Sequence, residues 1–228
     1  MEVFDTTSFQ QPSNRVIANS PAGINVNPTT GSVYFTYPAL SGVVDIWDSN
    51  WNPVATVSVG SAPVGVVVNA TSNKIYVANG GSNNVSVIDG ASNAVVATIT
   101  DPNAVKPVAL AVNPTTNTIY VANSQSDNVT VIDGATDSVT ATIPVGTAPS
   151  GVAVDSQTNF VYVANAGNTQ SGDPGNITVI NGKTNAMQTL TDSNAKNPVA
   201  VAANPTTNKI YVANSGSNNV TVIDGAHD

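Results

Sequence analysis

Lys74-Ile75-Tyr76-Val77-Ala78-Asn79, a short polar loop, then Asn84-Val85-Ser86-Val87-Ile88-Asp89-Gly90 is the stretch that decides the fold, because the chain repeats it. Its Tyr recurs at Tyr34, Tyr76, Tyr120, Tyr162 and Tyr211, in steps of 42, 44, 42 and 49 residues. A period near 43 is the signature of a propeller or solenoid array. The repeat covers nearly all of the 228 residues, so residues 1–228 read as one domain without a linker.

Each unit divides into four strand-like runs, which in the second unit are Pro63 to Val68, Lys74 to Asn79, Val85 to Ile88 and Ala94 to Ile99. Val, Ile, Thr and Tyr fill the runs, and Asn, Gly, Ser, Asp and Pro fill the gaps; this is strand and turn chemistry. No apolar period of 3.6 residues supports a helix. The first run is apolar at successive positions, as in Gly65-Val66-Val67-Val68 and Ala109-Leu110-Ala111-Val112. A strand without alternation is buried on both faces. Its side chains are also small, while the larger Tyr and Ile stand on the second and third runs. Four-stranded blades converging on an axis account for both facts, so the expected fold is an all-β propeller of antiparallel four-stranded blades.

The Tyr-Val-Ala-Asn copies at Tyr76 to Asn79, Tyr120 to Asn123, Tyr162 to Asn165 and Tyr211 to Asn214, each followed by Val-Ile-Asp/Asn-Gly, carry a family resemblance. The chain resembles the YVTN-type β-propeller repeat of archaeal surface-layer and bacterial exported proteins, over roughly residues 3 to 225. The resemblance implies an exported or cell-surface interaction module, and family members usually have seven blades. The first copy departs from the pattern, with Tyr34-Phe35-Thr36-Tyr37 and Asp45-Ile46-Trp47-Asp48 in place of the two motifs.

Counting runs gives four complete units, two leading strands (Glu2 to Asp5 and a second between Phe9 and Ile17) and three trailing ones ending at Asp224. That total favours a five-bladed ring whose last blade takes its outer strand from the N-terminal segment, since closure removes exposed edges. One strand is left over. It keeps open an incomplete array that self-associates through a surplus terminal strand.

Composition excludes several functions. With 6 basic and 14 acidic residues the net charge is -8, the wrong sign for a phosphate backbone, so no nucleic-acid partner is expected. No cysteine and a single His, His227, leave no thiolate or histidine metal site and no haem attachment; no metal or cofactor is expected. No apolar run reaches the length of a membrane span, and Met1 to Asp5 lacks a secretory signal. A surface poor in Lys and Glu and rich in Asn, Ser, Thr and Gly favours an extracellular or cell-surface location.

Positions where the repeat breaks are free for something other than the fold. The hairpin between the first two runs keeps one length, with Asn27 to Tyr34, Asn69 to Tyr76, Asn113 to Tyr120, Asp155 to Tyr162 and Asn204 to Tyr211 all seven apart. The loop between the second and third runs instead grows by six residues in the fourth unit, at 166–175, and the connections 100–106 and 191–197 are also long. In a propeller these two loop types open on one end, and variable loops on a rigid scaffold are where binding residues concentrate. Asn168, Gln170, Asp173, Asp192 and Lys196 form the ligand-binding candidate set, suited to a sugar, a peptide or a cation. The competing reading is a tolerated insertion marked by Gly167, Gly172, Pro174 and Gly175. Asp101 and Lys106 read as a solvated pair.

Asp45 and Trp47 are secondary candidates, because Asp45 takes a strand position held by Ser86, Thr130, Thr178 and Thr221 elsewhere, and an acid beside an aromatic ring can grip a sugar or an amine. The repeated Asp48, Asp89, Asp133 and Asp224 read as turn residues, since Asn181 fills the equivalent place and a turn needs the oxygen and not the charge. Five Asn-x-Ser/Thr sequons, at Asn69, Asn84, Asn128, Asn176 and Asn219, arise mostly from repetition of one strand start.

No catalytic set is recognisable, so the reading is a non-catalytic propeller that binds a protein or glycan partner on its variable-loop end. A lectin-like small-molecule or glycan binder is one alternative. A propeller-type enzyme of lyase or dehydrogenase kind is another, and it would need an acidic site such as Asp173 with Asp192.

Overall fold

The computed structural model describes residues 20–38, 42–168 and 170–225. Among them every regular element is a strand, and the strands form five antiparallel sheets in plain sequence order. Blade 1 contains β1 (Gly23–Val26), β2 (Val33–Tyr37), β3 (Val43–Trp47) and β4 (Pro53–Ser58). Blade 2 contains β5 (Pro63–Asn69), β6 (Lys74–Asn79), β7 (Asn84–Asp89) and β8 (Ala94–Ile99). Blade 3 contains β9 (Pro107–Asn113), β10 (Thr118–Asn123), β11 (Asn128–Asp133) and β12 (Ser138–Pro144). Blade 4 contains β13 (Pro149–Asp155), β14 (Phe160–Asn165), β15 (Asn176–Asn181) and β16 (Met187–Leu190). Blade 5 contains β17 (Pro198–Asn204), β18 (Lys209–Asn214) and β19 (Asn219–Asp224). The fold is an all-β propeller of four-stranded blades, as the repeat predicts. The two expected N-terminal strands, and with them the strand that would complete blade 5, fall outside the described residues, as does His227.

The first strand of each blade packs on the first strand of the next, from β1 through β5, β9 and β13 to β17. Small residues make this approach possible. A Cβ on Gly23 would lie 2.3 Å from the Val64 carbonyl oxygen, and one on Gly65 2.7 Å from that of Val108. Any side chain at these two positions would push the inner strands apart.

Between blades, the repeated Tyr is the main apolar group. Tyr34 packs with Val66, Val68, Ile75, Val77 and Ile88 of blade 2, and Tyr76 with Ile119, Val121 and Ile132 of blade 3. Tyr162 meets Ile210 and Val212 of blade 5. Each blade thus has a front face, bearing Tyr, and a back face, bearing the Ile and Val that receive the Tyr of the preceding blade. Tyr34, Tyr76, Tyr120 and Tyr162 are all buried. The Tyr76 hydroxyl also reaches the next blade's hairpin, donating to Asp137 Oδ1 at 2.9 Å, while Lys74 Nζ donates to Asp137 Oδ2 at 2.7 Å and to the Gly134 carbonyl at 3.0 Å. Burial first, and then the Asp137 carboxylate, push the Tyr76 phenol well above its ordinary pKa.

The constant-length hairpin between the first two strands explains the repeated Asn. Asn113 Oδ1 accepts from the Thr115 and Thr116 amides, and Asn117 takes a left-handed conformation at φ 54° to close the turn. The other amide end of the side chain ties blades together. Asn27 Nδ2 donates to Asn73 Oδ1 at 2.8 Å, Asn69 to Asn117 at 2.6 Å and Asn113 to Asn159 at 2.7 Å. At the next junction the first partner is Asp155 and the second Asn208, and both Asp155 Oδ2 and Asn208 Oδ1 are buried without a donor.

The repeated turn Asp residues make Asx turns. Asp133 Oδ1 accepts from the Ala135 amide at 2.8 Å, and Asn181 Oδ1 accepts from the Lys183 amide at 3.0 Å in the same place. Replacing Asp133 with Asn should therefore leave thermal stability unchanged within about 0.5 kcal/mol. A chelator-sensitive loss of stability in the wild-type chain would contradict this turn role.

Candidate functional site

One end of the propeller is built from the connections between blades and the loops between second and third strands. Main-chain bonds knit the two together at each blade: the Gly80 amide donates to the Ala62 carbonyl, Ser124 to Lys106, Ala166 to Ala148 and Ser215 to Asn197, all within 2.9–3.0 Å. The connections turn through left-handed residues, Ala62, Lys106, Ala148 and Asn197, at φ 47° to 59°. The Asn that ends each second strand locks the same end. Asn123 Nδ2 donates to Asn128 Oδ1 and Thr130 Oγ1, both at 2.9 Å, and Asn79, Asn165 and Asn214 repeat the arrangement. The sequon residues Asn84, Asn128, Asn176 and Asn219 accept these bonds, which is the structural reason the motif recurs.

The two long connections share one device. Asp101 Oδ1 accepts from the Asn103 amide, and its Oδ2 accepts from Thr130 Oγ1 and Thr142 Oγ1, each at 2.7 Å, on two strands of blade 3. Asp192 repeats it with the Asn194 amide at 2.9 Å and Thr221 Oγ1 at 2.8 Å in blade 5. Burial works to raise the Asp101 pKa, but the bonds from Thr130, Thr142 and Asn103 outweigh it and hold the carboxyl below its ordinary value. For Asp192 the Asn194 amide, then the Thr221 hydroxyl, have the same effect. Asp101 is only 5% exposed, so it is a buried anchor of the connection and not one half of a solvated pair with Lys106. Sequence reasoning missed this role because the threonines lie 29 and 41 residues away.

The long loop of blade 4 is held closed at its base. Gly167 and Gly175 take φ 75° and 87°, and a Cβ on Gly167 would stand 2.4 Å from the Gly175 amide nitrogen, so these two glycines permit the pinch. Above it, Asn168 Oδ1 accepts from the Gln170 amide at 3.0 Å, and the Asp173 amide donates to the Asn168 carbonyl at 3.0 Å. Asp173 Oδ1 accepts from the Gly175 amide at 2.9 Å. The Asn197 amide then donates to the Pro174 carbonyl at 2.7 Å, which joins the loop to the connection bearing Lys196.

The structure thus brings Asp173 and Lys196 to one place, a shallow depression of about 220 Å³ lined by Gly172, Asp173, Pro174 and Lys196. Gln170 and Lys196 are exposed. Asn168 spends its side-chain oxygen on the loop's own turn, and Asp192 spends its carboxylate on blade 5. No ion pair joins Lys196 to an acid among the described residues. Among the described residues no three of His, Cys, Asp and Glu converge.

Asp45 and Trp47 lie apart from this loop end's fourth-blade depression, on the back face of blade 1. Asp45 accepts from Thr56 Oγ1 at 2.6 Å. Trp47 and Trp51 pack with Phe35, at ring-centroid separations of 6.2 Å (Phe35 to Trp47), 6.5 Å (Phe35 to Trp51) and 6.5 Å (Trp47 to Trp51). Burial, followed by the Asp45 carboxylate, pushes the nearby Tyr37 phenol up to about 12.

These features define the chain as a β-propeller with one uniform and one variable end. The structure is similar to that of Kuenenia stuttgartiensis hydrazine synthase, with a TM-score of 0.83 and 21% sequence identity over 98% of this chain and 70% of the other. At that identity the likeness shows the fold alone. No family model and no curated protein matches the chain.

Proposed function

We propose that this chain is a non-catalytic binding or structural interaction module, exported or at the cell surface, whose partner meets the loop-bearing end at residues 166–175 and 191–197. The observation that carries the reading is the loop of blade 4, pinched at Gly167 and Gly175 and bonded through the Pro174 carbonyl to the neighbouring connection, which sets Asp173 and Lys196 in one depression. The resemblance to YVTN-type repeats supports a surface location, and a protein or glycan partner suits a shallow polar depression. The enzyme alternative would draw on an acidic pair such as Asp173 with Asp192, and of these the Asp192 carboxylate is already engaged by the Asn194 amide and the Thr221 hydroxyl.

Deleting residues 168–173 shortens the spacing from Asn165 to Asn176 to the five residues found between Asn123 and Asn128. The fold should survive with its melting temperature little changed, because the other blades manage with that length. Glycan and peptide arrays probed with both proteins are expected to lose at least tenfold of the wild-type signal in the deletion variant, a difference of about 1.4 kcal/mol. Equal signals from the two proteins would refute the assignment.

A further inference from the structure

The residue that ends each second strand keeps one atom that the chain itself does not satisfy. Asn79, Asn123, Asn165 and Asn214 all donate through Nδ2, and the Oδ1 of each is buried without a donor. Buried polar groups in folded proteins are paired, with ordered water where the chain offers no partner. At Asn123, which is 1% exposed, the surroundings identify that partner. Asn123 lines a narrow cavity of about 10 Å³ between blades 2 and 3, the room that one water molecule needs.

The length of the connection accounts for the cavity. At the entrances to blades 2 and 4 the connection is short, and Gly60 and Gly146 lie against the amides of Asn79 and Asn165, where an added Cβ would stand 2.7 Å from Nδ2 in each case. The chain enters blade 3 by the longer route 100–106, which contains no glycine, and Asp101 and Ala104 of that route line the cavity beside Asn123.

Three polar groups on the cavity wall suit a water molecule. Asn123 Oδ1 can accept one of its hydrogens. Asp101 Oδ1, which accepts from the Asn103 amide and has a second lone pair, can accept the other. Asn84 also lines the cavity, and its Oδ1 already accepts from Asn79 Nδ2 and Ser82 Oγ, so the Nδ2 end of its amide is the donor. Two acceptors and one donor fit water, which serves as both; a cation would be repelled by the Asn84 amide hydrogens.

We propose that a resident water molecule bridges blades 2 and 3 in this cavity, accepting from Asn84 Nδ2 and donating to Asn123 Oδ1 and Asp101 Oδ1. The site joins the two blades and their connection at the loop-bearing end, as the bond from Asn69 to Asn117 joins the same blades at the other end. Buried waters of this kind typically make about three hydrogen bonds and are costly to remove.

Crystals of the full chain, at a resolution that shows ordered solvent, test this directly. A density peak is expected within about 2.7–3.2 Å of both Asn123 Oδ1 and Asn84 Nδ2. In solution, the nuclear Overhauser effect between water and the Ala104 methyl group should have opposite signs in the laboratory and rotating frames, the mark of a resident water. The exposed Ala94 methyl, which meets only fast-exchanging solvent, should show equal signs. A cavity without a density peak overturns the proposal, and so does an Ala104 methyl that behaves like that of Ala94. An anomalous peak in the cavity of crystals soaked in rubidium chloride also overturns it, since the site would then hold a monovalent cation.

Discussion

Asp155→Asn should stabilise this protein, by about 1–3 kcal/mol, the cost range of leaving a buried polar group unsatisfied. At three blade junctions an Asn Nδ2 donates to the next blade's Asn Oδ1. At the fourth, Asp155 stands in the donor's place and brings only a lone pair, so its Oδ2 and the Oδ1 of Asn208 are both left without a donor. Asn at 155 keeps the bonds to the Gln157 and Thr158 amides, which need only an oxygen, and restores the missing donor. For a chain of this length the gain corresponds to a melting-temperature rise of about 2–12 °C. Hydrogen exchange locates it: amides of β14 and β18 should slow together. A neutral or destabilising result would mean that the junction between blades 4 and 5 satisfies Asp155 by some other group.

Asp101→Ala should cost about 3 kcal/mol, because it removes hydrogen bonds to a buried carboxylate and strands the Thr130 and Thr142 hydroxyls. The effect should depend on pH in a defined direction. The folded-state pKa of Asp101 is depressed, so its contribution is fully present above the ordinary unfolded value of about 3.9 and is lost as pH falls through the folded value. Melting curves of wild type and Asp101→Ala should accordingly be furthest apart near neutrality and converge below about pH 4. A constant gap between pH 2 and pH 7 would show that the carboxylate's charge plays no part. The equivalent Asp192→Ala should cost less, since β19 offers Thr221 and no fourth strand supplies a counterpart of Thr142 among the described residues.

The blades were legible in the sequence because a 43-residue period and strand-length runs of Val, Ile and Tyr are local signals. Lys74–Asn79 and Ala94–Ile99 match the expected runs, and Asn84–Asp89 extends the expected third run by one residue at each end. The separation into a uniform and a variable end was legible from loop lengths alone. What the sequence did not disclose are the bonds that cross blades. Asp101 looks like a surface acid until Thr130 and Thr142 are beside it, and Asp155 looks like one more turn residue until its other oxygen is found facing the place where an amide donor serves elsewhere. The candidate set was half sorted by the same contacts: Asp173 and Lys196 share a depression, while Asn168 and Asp192 hold the scaffold in shape. Asp45 and Trp47 belong to the packing of blade 1's back face, a grouping that depends on which face of β3 is which.

Hydrogen–deuterium exchange of the wild-type protein with and without the strongest array-selected glycan or peptide tests the assignment of the working surface most directly. Protection confined to residues 166–175, 191–197 and the strand ends that carry them is the result expected. Protection centred instead on the constant-length hairpins at the opposite end, from Asn69 to Tyr76 and from Asn113 to Tyr120, would contradict it.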